Sequence, residues 1–228
     1  MPFKQGRLLR HFDVSQIQPA CSATDLVSAI PLAANFTAVV ISSLQDVAVR
    51  LGQNGDSSLI RDIVATVGQE GEQLGVYRTL FQDLVPADQP FLTQSTREFA
   101  YLALQQNFIV PGTCPNDNII DVPIFGTLSV LTKNIQAVDQ NLTFSIRTNS
   151  TEGFNLVYIN QLNLPIVQAI SNATSSNGMF TFQADFPFTK NNLNGLIIVA
   201  VTNSSAAFIN TNDVANKTLF GPGLIYPN

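Results

Sequence analysis

The stretch Ile60-Arg61-Asp62-Ile63-Val64-Ala65-Thr66-Val67-Gly68-Gln69-Glu70-Gly71-Glu72-Gln73-Leu74-Gly75-Val76-Tyr77 decides how the first half of the chain is read. Ile60, Ile63, Val67, Glu70, Leu74 and Tyr77 recur at alternating intervals of three and four, and Phe81 and Leu84 continue the series. That spacing holds one stripe of side chains on one face of a helix, as in packed helix bundles. Upstream, Phe36, Val39, Val40, Leu44, Val47 and Leu51 give a second helical pattern from Asp25 to about Leu51, which Pro31 either opens or kinks. Gly52-Gln53-Asn54-Gly55 stops it, and Asp56 or Ser57 caps the next helix. Two long helices with so short a link predict an antiparallel hairpin. Pro86 and Pro90 end it, and a short helix over 95–106 is expected to open on Ser95-x-x-Glu98 as a capping box.

Beyond Cys114 the apolar period becomes two. Candidate strands cover 127–132, 142–147, 154–159, 164–170, 179–184 and 196–202, with Asn177-Gly178 and Asn194-Gly195 as turn signals. Short strands at this spacing predict a β-sandwich, and Pro165 places its strand at an edge. The expected fold is therefore α+β, with a helical hairpin in residues 1–111 and a β-sandwich-like domain in 112–228. Two helices cannot enclose a bundle core. The missing walls are expected from residues 1–20, from the β half, or from a second chain.

Composition narrows the function classes. A 45% hydrophobic content over 228 residues is enough for a real core. Charged residues make up only 12%, about half the usual share. Asn, Gln, Ser and Thr supply the polarity instead, which suits a secreted or wall-associated protein. The net charge is −5 and no basic stripe appears, which argues against nucleic acid. The longest uninterrupted apolar run, within Gly195–Val201, is too short to span a bilayer, so no membrane span is expected. Lys4, Arg7 and Arg10 lead into no apolar signal core, so the natural start is expected upstream.

Cys21 and Cys114 have no CxxC spacing. They either form a disulfide across the helical half or stay as two buried thiols, and the secretory composition favours the disulfide. Six N-x-S/T sequons occur. Asn141, Asn149, Asn172, Asn203 and Asn216 fall near turn-like sequence in the β half and are expected to carry glycans. Asn35 lies inside a helical pattern and is expected to be unmodified or at a helix edge.

Few residues carry chemistry. The single histidine, His11, reads as a surface residue, and a multi-histidine metal site is excluded by count. Glu70 sits on the apolar seam between Val67 and Leu74, where a buried carboxylate needs a partner, a metal or a proton; otherwise it is partly exposed. Glu72 and Gln73 point elsewhere and read as solvated. Gly71-x-x-x-Gly75, with Gly68, suggests close approach by another element, since each helical glycine costs about 1 kcal/mol relative to alanine. Phe144, Phe154, Tyr158, Phe180, Phe182, Phe186 and Phe188 read as sandwich core.

The run Gly68–Arg78 resembles the last bundle helix of fungal secreted ferritin-like proteins of the late sexual development and stress-response types. Pro90-Phe-Leu-Thr-Gln-Ser-Thr96, Asn107-Phe-Ile-Val-Pro-Gly-Thr-Cys-Pro115, Val157-Tyr-Ile-Asn-Gln-Leu-Asn-Leu-Pro165 and Thr218-Leu-Phe-Gly-Pro-Gly-Leu-Ile225 are similar as well. The resemblance implies a ferritin-like bundle followed by a β-rich tail, with the first two bundle helices absent or reduced to a remnant. It maps the Glu-x-x-His metal motif onto Glu70 and Gln73, and the carboxylate of the preceding helix onto Thr37, so most ligands are lost. The expected function is a secreted non-catalytic glycoprotein, structural or interactive, with no cofactor and no metal. It would self-associate through the helical half and take a cell-wall glycan or protein partner. A ferritin-like oxidase or iron-binding protein and a glycan-binding module in the β half are the alternatives.

Overall fold

The computed structural model describes residues 25–81, 87, 89–110, 112 and 119–227. His11, Cys21 and Cys114 lie outside the described residues, and with them the expected disulfide. Helix α1 spans Leu26–Asn54. The Asp25 carboxylate accepts from the Ser28 backbone N–H at 2.9 Å, and the Ser28 hydroxyl accepts from the Asp25 N–H, which closes a capping box. Pro31 is inside α1, not at its start. The helix stops at Gly55, whose φ of 85° suits a residue without a Cβ. A 3₁₀ turn, Ser57–Leu59, leads into α2, Ile60–Val76, and a π turn, Tyr77–Phe81, finishes it. Both ends of this second arm pack on α1, so the two helices form a hairpin. Helix α3 spans Arg97–Asn107. Its N-cap is Thr96, not Ser95: the Thr96 hydroxyl accepts from the Phe99 N–H at 3.4 Å, and Glu98 turns to Arg97 instead of closing a capping box.

The buried face of α1 mixes large and small side chains, with Ile41 and Val39 as deep as its alanines. Ala34, Ala38, Ser42 and Asp46, four apart, are buried, whereas Phe36 and Val47 are exposed. Small side chains let the helix lie close to α3 and to the sheet beyond, as in the cluster of Val39 with Ala100, Ala103 and Leu224. Ser42 uses this closeness. Its hydroxyl donates to the Ala38 carbonyl at 2.8 Å, and its own carbonyl accepts from the Ser95 N–H at 3.2 Å. The walls missing from the hairpin are thus supplied in part by α3 and the β half.

Eight strands follow: β1 Leu128–Val130, β2 Gln140–Arg147, β3 Asn155–Ile159, β4 Ile166–Ala169, β5 Ser171–Ser176, β6 Met179–Phe186, β7 Ile197–Thr202 and β8 Thr218–Ile225. They make two antiparallel four-stranded sheets, an outer one ordered β1-β2-β6-β5 and a central one ordered β4-β3-β7-β8. Short helices α4, Phe188–Asn191, and α5, Thr211–Ala215, interrupt the strands. Leu142, Phe144, Phe182 and Phe186 of the outer sheet meet Leu156, Tyr158, Val199 and Val201 of the central sheet in one core. The alternate residues of the central sheet, Val157, Ile159, Ile198 and Ala200, join Ala38, Phe99, Leu102 and Val214 in a second core. The order is helices, central sheet, outer sheet. Gly126 closes the side where β1 meets β8: its N–H donates to Leu219 at 2.9 Å and its carbonyl accepts from Gly221 at 2.8 Å. A Cβ on Gly126 would strike the Phe220 ring.

Two strands depart from the sequence reading. The expected strand over 164–170 ends at Ala169, and a separate strand, β5, starts at Ser171. The strand β8 was hidden by Gly221-Pro222-Gly223, which reads as a turn. It is accommodated because β8 is terminal in its sheet and its pairing with β7 shifts register. Pro165 does precede an edge strand, β4.

Candidate functional site

The positions that the family resemblance marks sit on the hairpin. Thr37 is buried on α1, whereas Glu70 and Gln73 are only half-buried on α2. Glu70 is thus partly exposed, the alternative that its seam position left open; among the described residues α2 packs chiefly on α1 and has no buried residue. A half-solvated carboxylate needs neither a counter-ion nor a proton. Among the described residues no hydrogen bond or ion pair reaches Glu70, and no group of three or more His, Cys, Asp or Glu is placed to hold a metal. The donor chemistry is also wrong for iron: one carboxylate, one neutral amide and one hydroxyl do not make a di-iron set. Among the described residues open space lies in front of Gly68 and Gly71, so the close approach suggested for this glycine run is not made at those two positions.

The exposed side of the hairpin is mixed: Val47 and Val49 on α1 and Val64, Val76 and Leu80 on the second arm stand among polar residues such as Arg61, Asp62, Gln69 and Glu72, with Leu80 70% and Val64 60% exposed. Phe36, also exposed, packs edge-on against Phe108. By length and composition, Ser28–Asn54 is apolar enough to cross a membrane, the one such helix among the described residues. Counting only uninterrupted apolar runs missed it. In this fold its row of buried small and polar residues faces α3 and the sheet.

Two ion pairs lie where α1 approaches α3, one of them at Glu98, which the capping-box reading placed differently. Asp46 is buried and accepts from Arg50 Nε at 2.7 Å. Glu98 is buried and accepts from Arg97 Nε at 2.7 Å. Burial alone would raise the Glu98 pKa. The Arg97 bond, with backbone and Thr96 donors, outweighs it and holds the carboxyl below its ordinary range. The i,i+4 spacing of Asp46 and Arg50 was the available signal.

Two of the segments that carry the family resemblance, the ones around Thr93 and Asn160, meet in a buried polar network. Asn160 Nδ2 donates to the Asn194 carbonyl at 2.7 Å and to the Leu196 carbonyl at 3.0 Å. The Thr93 hydroxyl donates to the Leu196 carbonyl and accepts from the Gln161 N–H at 3.0 Å. Gln161 Nε2 reaches Asn160 Oδ1 at 3.1 Å and the Asn192 carbonyl at 2.9 Å. From the helical side, Gln45 Nε2 donates to the Thr93 carbonyl at 3.1 Å. At the other end of the interface Gln106 Nε2 donates to the Gly221 carbonyl at 3.1 Å. These residues join the helices to the central sheet. All are amides, hydroxyls and carbonyls, so the network is a clasp with no acid, base or nucleophile of shifted pKa.

The sequons divide cleanly. Asn141, Asn149, Asn172, Asn203 and Asn216 are all exposed, while Asn35 is buried on α1. Compared with family models, with curated proteins and with solved structures, the chain matches none.

Proposed function

We propose that this chain is a secreted, non-catalytic glycoprotein of the fungal ferritin-like type, with a partial ferritin-like bundle ahead of the sandwich and a structural or interaction role outside the cell or in its wall. The observation that carries the reading is the exposure of all five sequon asparagines in the β half. Oligosaccharide transfer needs an accessible amide, and an exposed Asn meets that need where a buried one does not. The low charge and the Asn, Gln, Ser and Thr surface agree with it.

The helical half is the interaction side of this reading. The apolar residues exposed on it, Val64, Val76 and Leu80 among them, suit contact with a second copy of the same hairpin, so that helices from two chains complete a four-helix core. Glu70, Gln73 and Thr37 are then relics of a metal site with no catalytic duty. The test is intact mass spectrometry and light scattering on protein secreted from a eukaryotic host. Hexosamine-containing masses at these sequons and a dimer or larger species at micromolar concentration are expected. A secreted protein without any glycan, or one holding stoichiometric iron or manganese, overturns the reading.

A further inference from the structure

We propose that a glycan on Asn172 guards the free edge of the outer sheet against strand-to-strand association; this rests on the glycoprotein reading above. An edge strand offers a row of unpaired N–H and C=O groups to any incoming strand, and proteins blunt it with Lys, Pro, inward charge, a covering element or shortness. The four terminal strands differ in this respect. β4 is only four residues long and follows Pro165, and β1 and β8 meet through Gly126. β5 is six residues long and, among the described residues, pairs only with β6. All six of its residues, Ser171 to Ser176, are exposed, and none is charged or proline.

The one irregularity in β5 lies at the sequon. Its pairing shifts between Ser171 and Thr174. Asn172 there has a φ of 50°, and its Nδ2 donates to Gln183 Oε1 of β6 at 2.7 Å. Transfer from a lipid-diphosphate-linked oligosaccharide forms a bond from Nδ2 to the anomeric carbon. The bond from that carbon to the diphosphate oxygen breaks, the diphosphate leaves, and one amide proton passes to solvent. The second N–H stays available to Gln183, so the native contact survives modification. The glycan is then rooted on the edge strand, and another strand cannot close to the roughly 4.8 Å spacing that pairing requires.

The full chain is secreted from a eukaryotic host as wild type, N172Q, T174K and N216Q. Sequon occupancy is read by peptide mass spectrometry, and mass by light scattering over a concentration series. Asn172 is expected to be occupied in the wild type. N172Q should give species of roughly twice the wild-type mass or more, growing with concentration, as expected of an unguarded edge. T174K also destroys the sequon but puts an ammonium group on the edge, so it should keep the wild-type mass, as should N216Q. Enzymatic removal of glycans from folded wild type should reproduce the N172Q result without a substitution. A bare Asn172 beside occupied sequons elsewhere overturns the proposal and leaves the glycoprotein reading standing. So does an N172Q or deglycosylated protein of unchanged mass, or a T174K that associates as N172Q does. A wild type bare at every sequon overturns both.

Discussion

β7, a continuous apolar run, and α2, an amphipathic helix with an apolar stripe, end in opposite surroundings. All six residues of β7 are buried, because its sheet has a core on each face. None of the 17 residues of α2 is buried, and among the described residues it packs chiefly on α1. Apolar composition says that a segment seeks partners; its place among the layers decides how many it finds. A strand between two layers reads as a continuous apolar run and buries both sides. A peripheral helix buries one stripe and leaves the rest for solvent or for another molecule.

The largest effects should separate these two regions. Phe144 is fully buried in the sandwich core and stacks on Phe182 at a centroid distance of 5.7 Å. Phe144→Ala should cost about 3–5 kcal/mol, the usual loss for a large buried aromatic. Ile63, on the half-buried stripe of α2, should cost about 1 kcal/mol when cut to alanine, since it has little burial to lose. Urea titration of both variants checks the contrast. A comparable cost at Ile63 would show that α2 is covered in solution, as the two-chain bundle requires.

The clasp between the regions comes next. Asn160→Ala removes the donor that reaches both Asn194 and Leu196 and leaves buried carbonyls to find other partners. About 1–3 kcal/mol should be lost, with hydrogen exchange rising in α3 before β3 if the clasp holds the helices to the sheet. Glu98 gives the same interface a pH signature. Its pKa is lowered in the folded chain. Its contribution is therefore present above the ordinary carboxylate range, about 4.3, and is lost as pH falls through the folded value. Glu98→Gln should flatten the acid limb of Tm against pH and leave the neutral limb nearly parallel to wild type.

Periodicity, together with the continuous apolar run of β7, made the two helical arms and six of the eight strands readable. β5 was missed because Ser-Asn-Ala-Thr-Ser-Ser has no apolar alternation, and β8 because Gly-Pro-Gly looks like a turn. The large-residue pattern of α1 held at Val39 but not at Phe36 and Val47, which are exposed, and it passed over Ala34, Ala38 and Ser42, which close packing buries. The seam position of Glu70 left burial and partial exposure both open, because a seam has depth only if something lies over it. The clasp residues Thr93, Asn160 and Gln161 stood inside quoted segments. Their roles depend on carbonyls of a distant loop, and no local pattern announces such partners.

Tyr158 sharpens the account of the sandwich core. Its ring packs edge-on against Phe186 at 5.6 Å, and its hydroxyl is buried without a hydrogen-bond partner among the described residues. Burial first, then the charge of Asp185, pushes its ionisation far above the ordinary range. The raised folded value means that its contribution is present below about pH 10 and lost as pH rises beyond it. Tyr158→Phe should gain about 1 kcal/mol by removing an unsatisfied group and should soften the alkaline loss of stability, both visible in thermal melts at pH 7 and at high pH.

The smallest effect is expected at the position that looked most chemical. Glu70 is half-buried and, among the described residues, makes no hydrogen bond or ion pair. Glu70→Gln keeps the shape and removes a charge that solvent already screens. Stability should change by about 0.5 kcal/mol or less, as for other substitutions away from a core or network. The mass distribution should also hold if apolar residues such as Val64 and Leu80 make the hairpin contact. Metal analysis of the native protein beside this variant is the decisive pairing. Iron or manganese bound stoichiometrically in the first and lost in the second would mean that a second chain, or residues beyond those described, completes a ligand set around Glu70. Equal metal content in the two, at trace level, leaves the carboxylate a solvated remnant on the less covered side of the molecule.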